Sequence, residues 1–231
     1  MRISRYKDSQ RRELRRRVAE VFRTSSLRIL AWLKMFFILY EQVSLFVPKK
    51  GRVLDLGCGY GFLSIFLALD SAERQVLGID PSQQRIKAIG QSVLALPENV
   101  VFKNVEIETL KSAQFDCVVM EQALHHIPKS QQQDVLHSIH KVLRDSGHLV
   151  LRENNKRWSF KYFLVNLPIE YLLWINEERG NFRTNSELKA MLLKANFSCE
   201  IVQAPWYYLI DMSMFVCQKQ TRNETPDGLA S

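Results

Sequence analysis

The chain has 231 residues, of which 46% are hydrophobic and 24% charged, a composition typical of one globular α/β domain with additions. Its cysteines, Cys58, Cys117, Cys199 and Cys217, are widely and irregularly spaced, which argues against a zinc site or a disulfide framework and fits a reducing cytoplasm. We therefore expect no metal, and the arginine-rich start lacks the apolar core of a secretory signal.

The formal net charge of +8 is concentrated at the amino-terminal end. Residues 1–34 contain eleven Lys and Arg against three acidic residues, so this segment accounts for the whole excess. A basic segment on a neutral body favours an anionic partner, such as acidic lipid, nucleic acid or an anionic substrate. The alternative is a solvated terminus with no partner, because runs of charge often serve only solvation.

Two helical segments are predicted before the first strand. Residues 8–23 place apolar side chains at roughly helical spacing among charges. Residues 27–47 are more apolar and about long enough to cross a bilayer, but Arg28, Lys34 and Glu41 interrupt them. We therefore reject a transmembrane helix and expect this helix to pack at the domain edge or to lay one face on lipid headgroups.

After these helices, short apolar strands alternate with helices. The predicted strands are residues 52–56, 76–80, 100–102, 115–120 and 147–151, with helices at 62–69, 82–95 and 131–144. Short, uniformly apolar strands in this rhythm indicate a parallel sheet buried on both faces. Right-handed crossovers then give a doubly wound sheet.

The rhythm changes after the fifth strand. Residues 158–176 are rich in aromatic side chains and predict a helical insert beside the active face, followed by a helix at 184–195 and a hairpin of strands 199–203 and 207–218. The predicted fold class is α/β, with a doubly wound, mostly parallel seven-stranded sheet, amino-terminal helices and this insert. The predicted units are a basic helical arm (1–47), one domain (48–220) and a frayed tail (221–231).

The strongest chemical signal follows the first strand, where the chain reads Asp55-Leu56-Gly57-Cys58-Gly59-Tyr60-Gly61. Glycine permits a positive φ and has no Cβ to block a ligand. Backbone N–H groups and the next helix N-terminus then face a ligand at the carboxyl edge of the sheet. Asp80 ends the second strand nineteen residues after Gly61, close to the spacing of a ribose-binding acid.

The spacing of the glycines discriminates between ligands. A dinucleotide-binding GxGxxG pattern that begins at Gly57 needs glycine at position 62, where Phe62 stands. Asp55, which precedes the glycines, would repel a pyrophosphate and suits a ligand with a positively charged amino group.

This loop resembles the first motif of class I S-adenosylmethionine-dependent methyltransferases, which have a Rossmann-like fold. Four later segments resemble further motifs of that family: Val76 to Pro81, Val100 to Leu110, Phe115 to Pro128 and Ser146 to Leu151. The likeness spans roughly residues 50–153. It departs from the family in the third segment, where Glu106-Ile107 stands in place of the usual Asp and small residue.

The resemblance implies S-adenosyl-L-methionine as the cofactor and gives each matching residue a role. Asp55, Gly57, Gly59 and Gly61 would hold the methionine end, Asp80 the ribose, Glu106 the adenine amino group, the Ile107 N–H the adenine ring, and Glu121 and Gln122 the floor near the sulfonium. Cys58 and Pro81 are also expected to contact the cofactor. Glu106 could alternatively be a surface acid.

Catalysis in this family often needs no dedicated residue, because positioning for in-line attack lowers most of the barrier. A base helps when the acceptor is a hydroxyl or an acidic carbon. His125 and His126 follow the fourth strand, and histidine has a suitable pKa. His126 is the better catalytic candidate, by resemblance to members with a Leu-His-His-Ile sequence. The alternative is that one histidine packs and the other caps a helix.

Two absent motifs narrow the acceptor. Glu121-Gln122-Ala123-Leu124 stands where exocyclic-amine nucleic-acid methyltransferases carry Asn/Asp-Pro-Pro-aromatic, and the Pro-Cys nucleophile of cytosine-C5 enzymes is missing. A small, hydrophobic or lipid-like acceptor fits better, because aromatic residues such as those at 158–176 commonly line apolar pockets. The alternative for residues 158–176 is a helical pair that only covers the edge of the sheet.

Three functions follow. The favoured one is a cytoplasmic transferase that methylates such an acceptor, with peripheral contact to the inner face of a membrane through the basic arm. The second is an RNA-modifying methyltransferase whose arm follows phosphates. The third is a non-catalytic protein that binds the cofactor or a partner.

Overall fold

A computed structural model describes residues 6–154, 181–203 and 212–220. Three helices precede the first strand: α1 (Asp8–Val21), α2 (Ser25–Ile38) and α3 (Tyr40–Ser44). The prediction of one helix over 27–47 was wrong, because Leu39 adopts a left-handed φ of +52° and ends α2. This break turns Tyr40 and Val43 into the core, which offsets the small cost of a left-handed non-glycine residue.

The remaining elements alternate as the sequence predicts. They are β1 (Gly51–Leu56), α4 (Phe62–Asp70), β2 (Arg74–Ile79), α5 (Gln83–Ser92), β3 (Val100–Lys103), β4 (Phe115–Glu121), α6 (Gln132–Val142), β5 (Leu143–Asn154), α7 (Asn185–Lys194), β6 (Phe197–Gln203) and β7 (Met212–Lys219). Short 3₁₀ turns follow β3 and β4, at Ile107–Thr109 and Leu124–His126.

The described strands form one seven-stranded sheet in the order β3-β2-β1-β4-β5-β7-β6. The first five strands are mutually parallel, and β7 runs antiparallel to both β5 and β6. The predicted fold class is therefore confirmed. The order reverses direction beside β1 and β4, so the loops after these strands border a crevice at the carboxyl edge, where ligands bind in such sheets.

Strand β5 is longer than the predicted 147–151. Its polar end interrupted the apolar pattern from which the strand was predicted, yet Arg152, Glu153 and Asn154 are buried and pair with β7. These side chains have polar partners, which makes their burial possible. The predicted insert at 158–176, residues 207–211 of the last strand and the tail at 221–231 lie outside the described residues.

Helices cover both faces of the sheet. Val18, Met35, Tyr40 and Phe66 belong to a buried cluster that joins α1, α2, α3 and α4 on one face. On the other face, α6 and α7 pack over the sheet through a second cluster. The three amino-terminal helices therefore share one core with α4, the helix that covers this face of the sheet. Each fully buried side chain of this size stabilises the fold by about 1.5–3 kcal/mol.

A buried arginine fixes the connection between these helices and the sheet. Arg74 donates to the carbonyls of Val47 (2.9 Å), Pro48 (2.7 Å) and Leu67 (2.9 Å), and to the carboxylate of Asp70 (2.8 Å). A buried guanidinium is tolerable only when its donors are satisfied in this way. Among the described residues, no helix is both long and apolar enough to cross a membrane.

Candidate active site

The loop after β1 contains three glycines in the left-handed region, with φ of +77° at Gly57, +56° at Gly59 and +77° at Gly61. A Cβ on Gly57 would lie 2.5 Å from the Cβ of Ala123, and one on Gly61 would lie 2.6 Å from Phe102 Cζ. At Gly59, an added Cβ would meet no atom within 4 Å. Gly57 and Gly61 are therefore required by packing, whereas Gly59 borders open space.

This difference predicts different outcomes for two alanine substitutions. Both place alanine at a positive φ, which costs about 1–2 kcal/mol. Gly57→Ala also forces two Cβ atoms together, so we expect it to lower the free energy of unfolding by about 1–3 kcal/mol more than Gly59→Ala does. Urea unfolding of both variants measures this difference. Equal losses would contradict the packing role of Gly57.

Asp80 joins the glycine loop to the end of the second strand. Its Oδ2 accepts a hydrogen bond from the Gly59 N–H (2.9 Å), and its Oδ1 accepts one from the Ser82 N–H (2.8 Å). Arg85 on α5 lies 3.8 Å from the same carboxylate. Asp80 is thus held in one orientation at the crevice.

Asp55 is buried at the end of β1. Its Oδ2 accepts a hydrogen bond of 2.5 Å from the Ser64 hydroxyl on α4. Burial raises the pKa of Asp55 to about 7; the hydrogen bond from Ser64 opposes this rise, and the nearby charges of Glu121 and Asp80 add to it. A cationic group bound beside Asp55 would favour its ionised form.

Polar pairs between β4 and β5 form the floor of the crevice. Arg152 holds Glu121 through two hydrogen bonds, Nε to Oε2 (2.6 Å) and Nη2 to Oε1 (2.9 Å). Burial raises the pKa of Glu121, while Arg152 opposes this rise. Gln122, at a left-handed φ of +49°, donates to Asn154 Oδ1 at 3.1 Å. The floor is therefore a rigid, charged surface.

The two histidines of the turn at 124–126 differ in burial and in contacts. Glu153 accepts a hydrogen bond from the Leu124 N–H (2.7 Å), and its other oxygen lies 2.6 Å from Nδ1 of His125. His125 is buried, with its ring centroid 4.1 Å from that of His126 and 4.7 Å from that of Phe182. His126 is exposed, and its side chain is the one that borders the crevice.

The crevice is a cavity of about 840 Å³, within the range of sites for small ligands and cofactors. Its lining includes these predicted cofactor-binding residues: Asp55, Gly57, Cys58, Gly59, Asp80, Pro81, Glu106, Ile107, Glu121 and Gln122. Gly61 is not among them; it packs against Phe102 and is the residue that precedes and caps α4.

Sequence reasoning missed the wall that α2 and α3 contribute to this cavity. Leu30, Lys34, Ile38 and Tyr40 line it. These residues line the cavity because of how the helices pack on the sheet, and no local sequence motif predicts that packing. In the described residues, no group of three or more His, Cys, Asp or Glu is arranged to hold a metal ion.

Comparison with known proteins agrees with this geometry. A family model described as a methyltransferase domain matches residues 53–147. A ubiquinone biosynthesis O-methyltransferase from Alkalilimnicola ehrlichii is 29% identical over 53% of this chain and 49% of its own length. An uncharacterized methyltransferase from Synechocystis sp. is 26% identical over 67% of this chain and 70% of its own length. The chain thus spans about half the length of the first of these relatives.

Solved structures share the fold at low identity. Magnesium protoporphyrin IX methyltransferase from Synechocystis PCC 6803, with bound SAH, aligns with a TM-score of 0.62 at 18% identity, over 90% of this chain and 94% of its own. The [4+2]-cyclase SpnF aligns with a TM-score of 0.65 at 18% identity, over 81% of this chain and 82% of its own. The same fold therefore supports more than one chemistry.

Proposed function

We propose that this chain, which carries a class I S-adenosylmethionine-dependent methyltransferase domain, methylates a small, hydrophobic or lipid-like acceptor. The family and the cofactor, S-adenosyl-L-methionine, were predicted from the glycine loop and are confirmed by the matched domain and its relatives. The acceptor and the residue roles are our proposal. The observation that carries it is that Asp55, Asp80 and Glu121 line one cavity beside the glycine loop.

The cavity fits the cofactor chemically. Bound S-adenosylmethionine supplies an electrophilic methyl group on a cationic sulfonium. Asp55 would bind the amino group in its ionised form, and the bound cation would offset the cost of burying that charge. Asp80 would bind the ribose hydroxyls. Gly59 leaves open space where a Cβ would otherwise stand.

The other predicted contacts complete the proposal. Glu106 would accept from the adenine amino group, and the Ile107 N–H would meet the adenine ring. Glu121 and Gln122, fixed by their partners on β5, would form a polar floor beneath the sulfonium. Pro81 and Cys58 would contribute shape to the walls.

A hydroxyl oxygen is the acceptor atom that the observations favour. His126 borders the cavity and could take the hydroxyl proton as the methyl group is transferred. Leu30 and Ile38 add apolar surface to the same cavity, which suits an apolar acceptor. Several of the relatives are named as O-methyltransferases of ubiquinone biosynthesis.

Two other functions are kept as alternatives. The basic segment favours an RNA acceptor, because clustered cations follow phosphates. A non-methylating role has a precedent in the fold, which is shared with a [4+2]-cyclase. Cytoplasmic location and peripheral contact with the inner face of a membrane belong to the favoured function and are proposed with it.

The proposal is tested with purified protein, S-adenosylmethionine carrying a deuterated methyl group, and cell extracts divided into lipid and RNA fractions. We expect mass spectrometry to find the label in the lipid fraction. Calorimetry should show binding of S-adenosylmethionine and not of NAD. Asp80→Ala is the control and should weaken cofactor binding by about 1.5–3 kcal/mol. Label in RNA would establish the second function, and cofactor binding with no labelled product the third.

A further inference from the structure

Helix α2 forms a wall between the cavity and the outside of the molecule. Ala31 and Met35 point into the core and are fully buried. On the adjacent face of the helix, Leu30, Lys34 and Ile38 line the cavity. Two of the three faces of α2 are thereby accounted for.

The third face is apolar and exposed. Ile29, Trp32 and Phe36, at helical spacing on one side of α2, are 60%, 54% and 48% exposed. The Trp32 and Phe36 rings stack, with centroids 5.7 Å apart. Among the described residues, six large hydrophobic side chains are exposed, and these three are the ones that form a cluster. Clustered exposure of this kind marks an interaction surface.

The charge around this face is positive. Arg23 and Arg28 are exposed, and residues 21–40 contain no acidic residue. Arg28 precedes Ile29 directly and stands one helical turn before Trp32. Cations that border aromatic and aliphatic side chains are the composition of a helix that lies in a membrane interface.

We propose that the outer face of α2 (Ile29, Trp32 and Phe36) docks into the headgroup layer of an anionic bilayer. An α-helix with its side chains is about 10–12 Å across, so docking would place the cavity within one helix diameter of the lipid. A hydrophobic acceptor could then pass from the bilayer along α2 to the side of the cavity that Lys34 lines. A second copy of the chain fits this surface less well, because two basic faces would repel each other.

The experiment is flotation of the full chain with vesicles of phosphatidylcholine and phosphatidylglycerol, compared with vesicles of phosphatidylcholine alone. We expect binding to the anionic vesicles. Trp32→Glu should reduce the bound fraction at least tenfold, and Ile29→Glu should do the same. Leu193→Glu is the matched control, because Leu193 is 53% exposed on α7, on the opposite face of the sheet. It makes the same change of charge and should leave flotation unchanged.

Three results would overturn the inference: no flotation of the unaltered chain, equal flotation of Trp32→Glu and Leu193→Glu, or a dimer in sedimentation that Trp32→Glu dissociates. The last result would assign the face to protein contact. The inference rests on the proposed function for what enters the cavity, but no acceptor is present in this assay. Calorimetry of cofactor binding by Trp32→Glu and Leu193→Glu reports whether their cavities are intact. The docking hypothesis and the methyl-transfer hypothesis are therefore tested separately.

Discussion

Replacing Asp55 with Asn should stabilise the ligand-free protein above pH 7 and, in the same molecule, weaken binding of S-adenosylmethionine. The carboxyl is buried, and burial raises its pKa to about 7 from the ordinary value of 3.8. Asparagine has nearly the same size and can accept the hydrogen bond from Ser64, but it carries no charge to desolvate. The two effects have one cause, the buried charge.

The pH dependence of stability follows from this difference in pKa. Between about pH 4 and pH 7 the folded protein holds a proton on Asp55 that the unfolded chain has lost, so the stability of the unaltered protein falls as pH rises through this window. Above pH 7 both states are ionised and the penalty is complete. The gain from Asp55→Asn should therefore be absent near pH 4 and reach on the order of 2–4 kcal/mol above pH 7.

Cofactor binding should respond in the opposite direction. Loss of a hydrogen bond from the amino group to a charged acceptor costs about 1.5–3 kcal/mol, or about 10–150-fold in affinity. The affinity of the unaltered protein should also fall below pH 7, as Asp55 gains its proton, and the variant should not show this fall. Unfolding and calorimetry from pH 5 to pH 9 measure both effects.

Asp80→Asn is the matched control for this prediction. The Asp80 carboxylate accepts two backbone hydrogen bonds, so its replacement should weaken cofactor binding without a stability gain. If Asp55→Asn proves less stable than the unaltered protein at pH 8, or if affinity is flat between pH 6 and pH 8, the proposed role of the buried charge is wrong.

The parts of the site that could be predicted are those with a local cause. Gly57 and Gly59 stand directly after an apolar strand, and the turn they form needs left-handed backbone that glycine adopts without cost. Asp80 directly follows the next strand, and parallel strands bring such ends to one edge. These features depend on residues that are near one another in the chain.

The parts that were missed depend on distant partners. Glu153 was left outside the predicted fifth strand because it is polar, yet it belongs there because His125 and the Leu124 N–H, twenty-eight and twenty-nine positions away, satisfy it. The helix break at Leu39 could not be predicted, because no Gly, Asn or Pro stands there. It is stabilised by the burial of the residues that follow it, Tyr40 and Val43. Lys34 lines the cavity together with Leu30 and Ile38, and no neighbouring residue in the sequence indicates that position.

The last prediction concerns the two adjacent histidines. If His126 is the general base, His126→Ala should lower kcat for a hydroxyl acceptor about 10²–10⁴-fold while leaving cofactor affinity nearly unchanged. A base must be neutral to accept a proton, so the activity of the unaltered enzyme should decline at acid pH, where histidine is protonated. That decline should be absent from the residual activity of His126→Ala. Single-turnover rates from pH 5 to pH 9, with S-adenosylmethionine saturating at each pH so that protonation of Asp55 does not limit the rate, separate the chemical step from cofactor binding and product release.

His125→Phe is the variant that distinguishes chemistry from support. Phenylalanine keeps a ring between His126 and Phe182 but removes the contact with Glu153. We expect this variant to be less stable than the unaltered protein. The buried carboxylate of Glu153 keeps the Leu124 N–H as a partner but loses the imidazole of His125. Its activity should keep the pH dependence of the unaltered enzyme. If instead His126→Ala changes kcat less than about threefold, positioning alone accounts for the rate, and His126 is part of the wall and not the base.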